Sequence, residues 1–357
     1  MPAPLPDPSP WMAAQQRAFA ETVRAFPADA PVAVLAHNDA DGLSSAALLA
    51  RGLARAGREA EVRLVGRGES AWSAEVAAEL ARAAPGAVIV GDLGVRAEPV
   101  LAGLPTLIVD HHVPQGTPEA AVLISGYGQE PTPSTSLLSF RGVQGLAEVD
   151  DLLWLAALGL IGDYGERATY PELLAARGRY KAKTLREATS LVNAPRRSST
   201  GEAGPALALL LRAEGPEAVV SGEHPETAQL RAARDEVKAA LDEARRIPPR
   251  FVGEVALIEL HSPCQIHPLV AQSWTGRLRR QIVLAANTGF RPGHVHFAAR
   301  SATGRNLVAF LAEHAPPGAA GDGAYGGGHE QASGGALPVE AWERFLAGLG
   351  FSRGAAG

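Results

Sequence analysis

The chain has 357 residues, 46% of them apolar and 5% aromatic, with a formal net charge of −5 at neutral pH. That length suits two domains, each burying a core built on Ala, Leu and Val rather than on rings. The acidic balance excludes a dedicated duplex-binding protein, for which a basic domain is expected, and the single cysteine, Cys264, excludes an internal disulfide and suits a reducing, cytoplasmic compartment.

The N-terminus carries Pro2, Pro4, Pro6, Pro8 and Pro10 but neither a basic start nor an apolar core, so it does not read as a secretory signal. No apolar run approaches the roughly 20 residues that span a bilayer, so no membrane partner is expected. A helix is predicted over about Pro10–Phe26. Val32–Ala36 then reads as a buried parallel strand that ends abruptly in His37, Asp39 and Asp41. Gly42 turns the chain into an amphipathic helix, Leu43–Ala54. A strand near Ala60–Val65 and a helix near Ser73–Ala83 follow. Ala87–Gly91 is another apolar run, ending in Asp92, and Leu104–Val109 a third, ending in Asp110, His111 and His112. After a short strand near Ala121–Ile124, Pro131–Ser136 is a helix start, with Ser134 or Thr135 able to cap a helix through Gln144. Leu152–Gly162 ends in Asp163, and its length suits a helix better than a strand. Helices then dominate to about Leu191.

Four apolar elements thus deliver carboxylates and imidazoles at their C-terminal ends, where open α/β sheets build their sites. A solvated turn accounts for one such cluster but not for four. The arginines and lysines between Arg177 and Arg197 read as ordinary solvated helix faces. Ser198–Gly204 marks a composition shift, Ala206–Arg212 a short helix, and Pro225–Arg246 a charged helix closed by Pro248 and Pro249. Beyond it come strands in the second half of Phe251–Leu260, at Gln281–Ala286 and at His294–Ala299. Helices are predicted at Leu269–Leu278 and Asn306–His314. The expected architecture is α/β: an N-terminal parallel sheet with crossover helices (1–195), a helical connector (196–250) and a smaller α/β C-terminal domain (251–357).

The mixture of four aspartates with two or three histidines suits a pair of divalent cations. Two cations about 4 Å apart can activate a water and clamp a phosphoryl group. Mn²⁺ fits that donor set best, with Co²⁺ or Mg²⁺ as substitutes; a cysteine-free, carboxylate-rich site is less suited to zinc.

His-Asn-Asp-Ala-Asp-Gly at 37–42, Asp92 after a strand, Asp110-His111-His112 and Gly162-Asp163 resemble, in order, the four motifs of the DHH phosphoesterases. Gly326–Gly335, with Gly327, Gly328 and His329, resembles the glycine-rich signature of the domain that accompanies them, so the likeness runs from about Val32 to Leu337. The resemblance implies that His37 and Asp39 hold one metal, that Asp41, His111 and Asp163 hold the other, and that Asp92 bridges them. Asp110 is then expected to orient His111, and His112 to face the scissile phosphate as general acid or charge stabiliser. In the second domain Arg300 matches an arginine of the substrate strand, although Ala298 stands where the family has a serine. Asn193-Ala194 followed by Arg196 resembles the Asn-Ala-x-x-Arg element that lines the cleft of RecJ-like nucleases, with Arg196 one residue short of that spacing.

The first motif resembles the RecJ-like branch more than the nano-RNase branch. A RecJ nuclease adds an oligonucleotide-binding barrel for which 357 residues leave no room. The expectation is therefore a Mn²⁺-dependent exonuclease releasing 5′-mononucleotides from short single-stranded oligonucleotides, as a monomer or homodimer, with little sequence preference. The alternatives are a nano-RNase or 3′-phosphoadenosine 5′-phosphate phosphatase, a cyclic-dinucleotide phosphodiesterase, and a non-catalytic nucleotide-binding regulator. Intact ligands argue against the regulator. The absence of any lysine after Lys238 argues against a pyrophosphatase.

Overall fold

The apolar runs of the N-terminal half form five parallel strands in a computed structural model that describes residues 5–319 and 325–351. These are β1 (Val32–His37), β2 (Ala60–Val65), β3 (Ala87–Gly91), β4 (Thr106–Asp110) and β5 (Ala121–Ser125), in the order β2-β1-β3-β4-β5. Alternation along β1 sends Val32, Val34 and Ala36 to one core, with Ile89 and Val109. Ala33 and Leu35 go to the other, with Val90 and Ile108. Burial on both faces explains why β1, β3 and β4 read as unbroken apolar runs, whereas the edge strands β2 and β5 are partly exposed.

Five helices surround this sheet: α1 (Pro10–Ala25), α2 (Ala40–Arg55), α3 (Ala74–Ala83), α4 (Thr135–Gln144) and α5 (Leu153–Tyr164). Leu43, Phe140 and Trp154 carry α2, α4 and α5 into the first core; Val76 and Leu80 carry α3 into the second. Only the β1–β2 and β2–β3 crossovers contain a helix. The β3–β4 connection is a loop, and its Val95 and Val100 fill the face that a further helix would cover. Helix α2 begins at Ala40, three residues before the predicted start, because Asp39 caps it and Gly42 lies inside its first turn rather than before it. The stretch after Leu152 is helical, as its length indicated. Helices α6 (Pro171–Arg179), α7 (Ala182–Asn193), α8 (Gly204–Arg212) and α9 (Pro216–Ser221) add Leu173, Leu191, Leu209 and Val219 to the first core.

The chain divides into two compact units, Met1–Arg196 with Gly201–Ala232, and Arg197–Thr200 with Ala233–Gly357. The division falls within α10 (Pro225–Ala244): Leu230 packs into the core of the first unit, Val237 and Ala244 into a core of the second. The second unit has six strands: β6 (Arg250–Val252), β7 (Val255–Leu260), β8 (Ile282–Arg291), β9 (His294–Ser301), β10 (Tyr325–His329) and β11 (Ala332–Pro338). Their order is β10-β11-β9-β8-β7-β6, with β7 and β8 parallel and the other described pairs antiparallel. One face packs α11 (His267–Thr275) through Val270 and Ala271. The other packs α12 (Leu307–Glu313) and α13 (Val339–Gly348) through Phe310, Trp342 and Phe345.

The glycine-rich stretch is a hairpin, β10 and β11. A Cβ on Gly334 would lie 2.4 Å from the Phe297 carbonyl oxygen, so glycine lets β11 approach β9. No described helix is long and apolar enough to cross a membrane.

Candidate metal centre

The order β2-β1-β3-β4-β5 makes the chain leave β1 to one side and return on the other at β3. Beyond the carboxyl ends of two such strands a crevice opens, and the ligand-type side chains gather there. His37 ends β1. Asp39 caps α2, its Oδ1 accepting the amides of Asp41 at 3.2 Å and Gly42 at 3.1 Å. A Cβ at position 42 would lie 2.4 Å from the His37 carbonyl oxygen, so this sharp passage from strand to helix requires glycine. Asp92, immediately after β3, holds a left-handed backbone with φ 63°. That conformation is costly for a residue with a Cβ and is a recurrent mark of functional sites.

Asp92 stands between two histidines. Its Oδ2 lies 3.5 Å from His37 Nδ1, and its Oδ1 lies 3.5 Å from His111 Nε2. His37 Nδ1 is also 3.2 Å from Asp39 Oδ2, and His111 Nε2 is 3.5 Å from Asp163 Oδ2. Three groups therefore offer ligand atoms within 4.8 Å of one another: His37, Asp39 and Asp92; Asp41, His111 and Asp163; and Asp92, His111 and His112.

Crowding of negative charge shapes the protonation of the cluster. Burial, with Asp92 beside it, raises the Asp41 carboxyl to about 6. Burial, then Asp41, Asp92 and Asp39, push Asp163 up to about 10. Burial opposes the charge of His37, but Asp39 and Asp92 outweigh it and lift that imidazole to about 10. Asp39 is held well below the carboxylate range despite its burial, because His37 and the Arg196 guanidinium, 3.5 Å away, face it. Groups whose surroundings favour a bound proton would offer the same carboxylate oxygens and imidazole nitrogens to a cation, and this donor set fits Mn²⁺-type ions.

Asp110 binds His112 rather than His111. Its Oδ1 accepts from the His112 amide at 2.7 Å and meets His112 Nδ1 at 2.9 Å, while Oδ2 accepts from Gly94 N at 2.8 Å. The expectation that Asp110 orients His111 is corrected: the chain bends at His112, and the same Asp110 oxygen takes both the amide and the ring of that residue. The Asp110 carboxylate, which accepts from the His112 ring, raises that imidazole to about 9 against the effect of burial. His111 instead sets its Nδ1 3.0 Å from the hydroxyl of Tyr164.

Four participating residues escaped sequence reasoning: Thr135, Ser136, Gly159 and Tyr164. Ser134 caps α4 as predicted. The two amides behind it, however, go to Asp41: Thr135 N donates to Oδ2 at 2.7 Å and Ser136 N to Oδ1 at 3.0 Å. The hydroxyl of Thr135 also donates to Asp92 Oδ1 at 3.1 Å. The helix start at Pro131–Ser136 was the available signal, since free amides at a helix N-terminus hold anions. Gly159 gives room for this packing: a Cβ there would lie 2.0 Å from Ser136 Oγ and 2.2 Å from Asp41 Oδ1.

Of the remaining candidates, Arg196 joins the cluster through Asp39. Asn193 closes α7, its buried Oδ1 without a hydrogen-bond partner among the described residues. In the second unit Arg300 Nη1 donates to the carbonyls of Ala299 at 2.9 Å and Ser333 at 3.3 Å. Gly327 is exposed, with open space where a Cβ would stand. Gly328 and His329 pair with Ser333 and Ala332, but their side chains lie outside the described residues.

Residues 31–160 match the model of the DHH family, N-terminal domain. No curated protein matches the sequence. Among solved structures, RecJ in complex with Mn²⁺ from Thermus thermophilus superposes with a TM-score of 0.72 at 21% identity, over 98% of this chain and 55% of that one. The chain thus spans little more than half of that relative. Exonuclease RecJ bound to manganese gives 0.70 at 21% identity, over 98% of this chain and 94% of that one. The DHH domain of a member of the S1p family of ribosomal proteins gives 0.63 at 14%, over 97% and 93%. At such identities the likeness is one of fold.

Proposed function

We propose that this chain, which carries a DHH-family N-terminal domain over residues 31–160, is a divalent-cation-dependent phosphoesterase that shortens single-stranded oligonucleotides. The observation that carries the reading is Asp92, whose two oxygens face two different imidazoles, each within a separate group of potential ligands. In this reading His37 and Asp39 hold one cation, Asp41, His111 and Asp163 a second, and Asp92 both; Mn²⁺ is the preferred ion, with Co²⁺ or Mg²⁺ as substitutes. The cations, when bound, supply an activated nucleophile at neutral pH and offset phosphoryl charge.

The chain's own groups do the rest. His112, kept protonated to about pH 9 by Asp110, places a proton and a positive charge beside the carboxylate cluster. That suits a general acid for the leaving oxygen or a partner for a non-bridging oxygen. Arg196 and Asn193 are assigned to the substrate backbone near Asp39. In the second unit Arg300, and Gly327, Gly328 and His329 of the glycine-rich strand, are assigned to phosphates or bases, which a backbone without side chains lets approach closely. Two similar RecJ structures hold Mn²⁺ and a third holds Mg²⁺, and one of them is named an exonuclease; this supports a divalent cation and the choice of reaction.

End-labelled DNA and RNA, single-stranded or blunt duplex, together with a closed single-stranded circle and a cyclic dinucleotide, test the reading in Mn²⁺. Stepwise release of 5′-mononucleotides from single strands, with duplex and circle intact, is expected. Equal attack on duplexes, cutting of the circle, or turnover confined to the cyclic dinucleotide contradicts it.

A further inference from the structure

Of the eight large apolar side chains exposed among the described residues, three stand at one end of the first sheet. Val113 lies three residues past β4, Tyr127 two past β5, and Tyr164 closes α5. These are the ends that also carry His111, His112 and Asp163. Single exposed apolar side chains are ordinary on a surface; three beside one charged cluster mark a binding surface. Single-stranded nucleic acid needs such a pairing, charge for its phosphates and ring faces for its bases.

Tyr164 is the ring best prepared to receive a base. Its hydroxyl lies 3.0 Å from His111 Nδ1, with the two rings edge to face at 86°. Tyr170 backs it, the ring centroids 5.4 Å apart at 38°. Tyr170 is itself buried, and its hydroxyl donates to the Thr132 carbonyl oxygen. Tyr164 is thus held at its tip and against a second ring, yet it remains 37% exposed. A ring fixed in advance loses little rotamer freedom when a ligand lies on it, so more of the stacking energy appears as affinity. Tyr127, 52% exposed, is carried instead by the loop between β5 and α4.

We propose that Tyr164 binds substrate by stacking one nucleobase on the ring face turned away from Tyr170, the base of the nucleotide whose phosphate lies at the carboxylate cluster. This rests on the reading of the chain as an enzyme that shortens oligonucleotides. Tyr164 directly follows Asp163 and its hydroxyl meets His111, so the ring is flanked by two candidate ligands of the same cation. A phosphate on that cation is joined through one sugar to its base, which places the base beside this ring rather than several nucleotides away. Every base has a π-face, so the contact discriminates little between sequences.

A cycle that pairs a missing ring with a missing base tests this. Single-stranded oligonucleotides with one abasic residue at the first, second or third position from the reacting end are compared with the intact strand. The readout is kcat/KM in Mn²⁺ for wild type, Tyr164→Phe, Tyr164→Leu and Tyr127→Leu. In wild type one abasic position should lower it by about 5- to 150-fold, the range for one stacked base. In Tyr164→Leu the same position should lower it almost no further, because the stacking is already lost. Tyr164→Phe, which keeps the ring, and Tyr127→Leu should retain the wild-type penalty. Anisotropy of the same strands on the chelated proteins gives the cycle as Kd, so a variant too slow to assay still decides the matter. An abasic penalty in Tyr164→Leu equal to that of wild type overturns the inference, as does the lack of any penalty in wild type. A penalty that vanishes in Tyr164→Phe assigns the effect to the hydroxyl on His111 and overturns it too, and one that vanishes in Tyr127→Leu moves the base to another ring. A wild-type chain that cleaves no oligonucleotide contradicts the proposed function itself.

Discussion

His112 illustrates how one hydrogen bond decides a role. Its imidazole is more exposed than that of His111 and has a different partner: a carboxylate raises it to about 9, whereas a phenol meets His111. If His112 delivers a proton, kcat should fall on the alkaline side as it loses that proton near pH 9. In Asp110→Asn the cause of the rise is gone, so the alkaline limb should move toward the ordinary histidine value of about 6.5. A kcat–pH profile reads this directly, and an unmoved limb assigns it to another group. Thr135 makes the complementary point about legibility. Its value as a helix-cap neighbour was visible in Pro131–Ser136, but its bonds to Asp41 and Asp92 join positions 94 and 43 residues away, and no local pattern carries that information.

At the level of elements, what could be read from the chain was whatever local chemistry dictates. Apolar or alternating runs gave the five strands of the first sheet, and the residue types at the ends of β1, β3, β4 and helix α5 gave His37, Asp39, Asp41, Asp92, His111 and Asp163, which the fold brings together. The start of α2 was misplaced because Gly42 reads as a turn, whereas it lies in the first turn of the helix at a place where a Cβ would meet the His37 carbonyl. Strands β10 and β11 went unread because glycine has low strand propensity; their pairing with β9 overrides it. Gly159 had no local signature either. Gly159→Ala should force α5 away from Ser136 and Asp41, costing about 1–3 kcal/mol as an overpacked core does and loosening Asp41 as a ligand. Chemical denaturation with and without Mn²⁺ checks both parts. A variant as stable as wild type, with undiminished stabilisation by the ion, contradicts the packing described.

For the whole molecule, the cluster ties folding to protons and cations. His37 and His112 are raised to about 10 and 9, so their stabilising charge is complete below the unfolded value near 6.5 and is lost as pH climbs through those folded values. Asp163, raised to about 10, acts in the same sense, since the folded chain keeps a proton there that the unfolded chain has already lost. Asp39 and Asp110 are depressed, act in the opposite sense and titrate only in acid. The metal-free protein should therefore lose stability steadily between about pH 6.5 and 9. Cations that take the place of those protons should flatten that slope. At a free concentration a hundredfold above Kd, each ion adds about 2.7 kcal/mol. Differential scanning calorimetry across this range, with chelator and with Mn²⁺, should show the two curves diverging as pH rises, and parallel curves contradict the coupling.

The most direct test is steady-state hydrolysis of bis-p-nitrophenyl phosphate in saturating Mn²⁺ by the wild-type chain and by Asp92→Ala. Because Asp92 faces both groups of ligands, its removal should release both cations together, leaving the wild type active, chelator-sensitive and at least about 100-fold faster than the variant, the ~2.7 kcal/mol of transition-state stabilisation that loss of a whole ion exceeds. An Asp92→Ala chain that turns over at a rate close to wild type, or a wild-type rate untouched by chelator, contradicts the account.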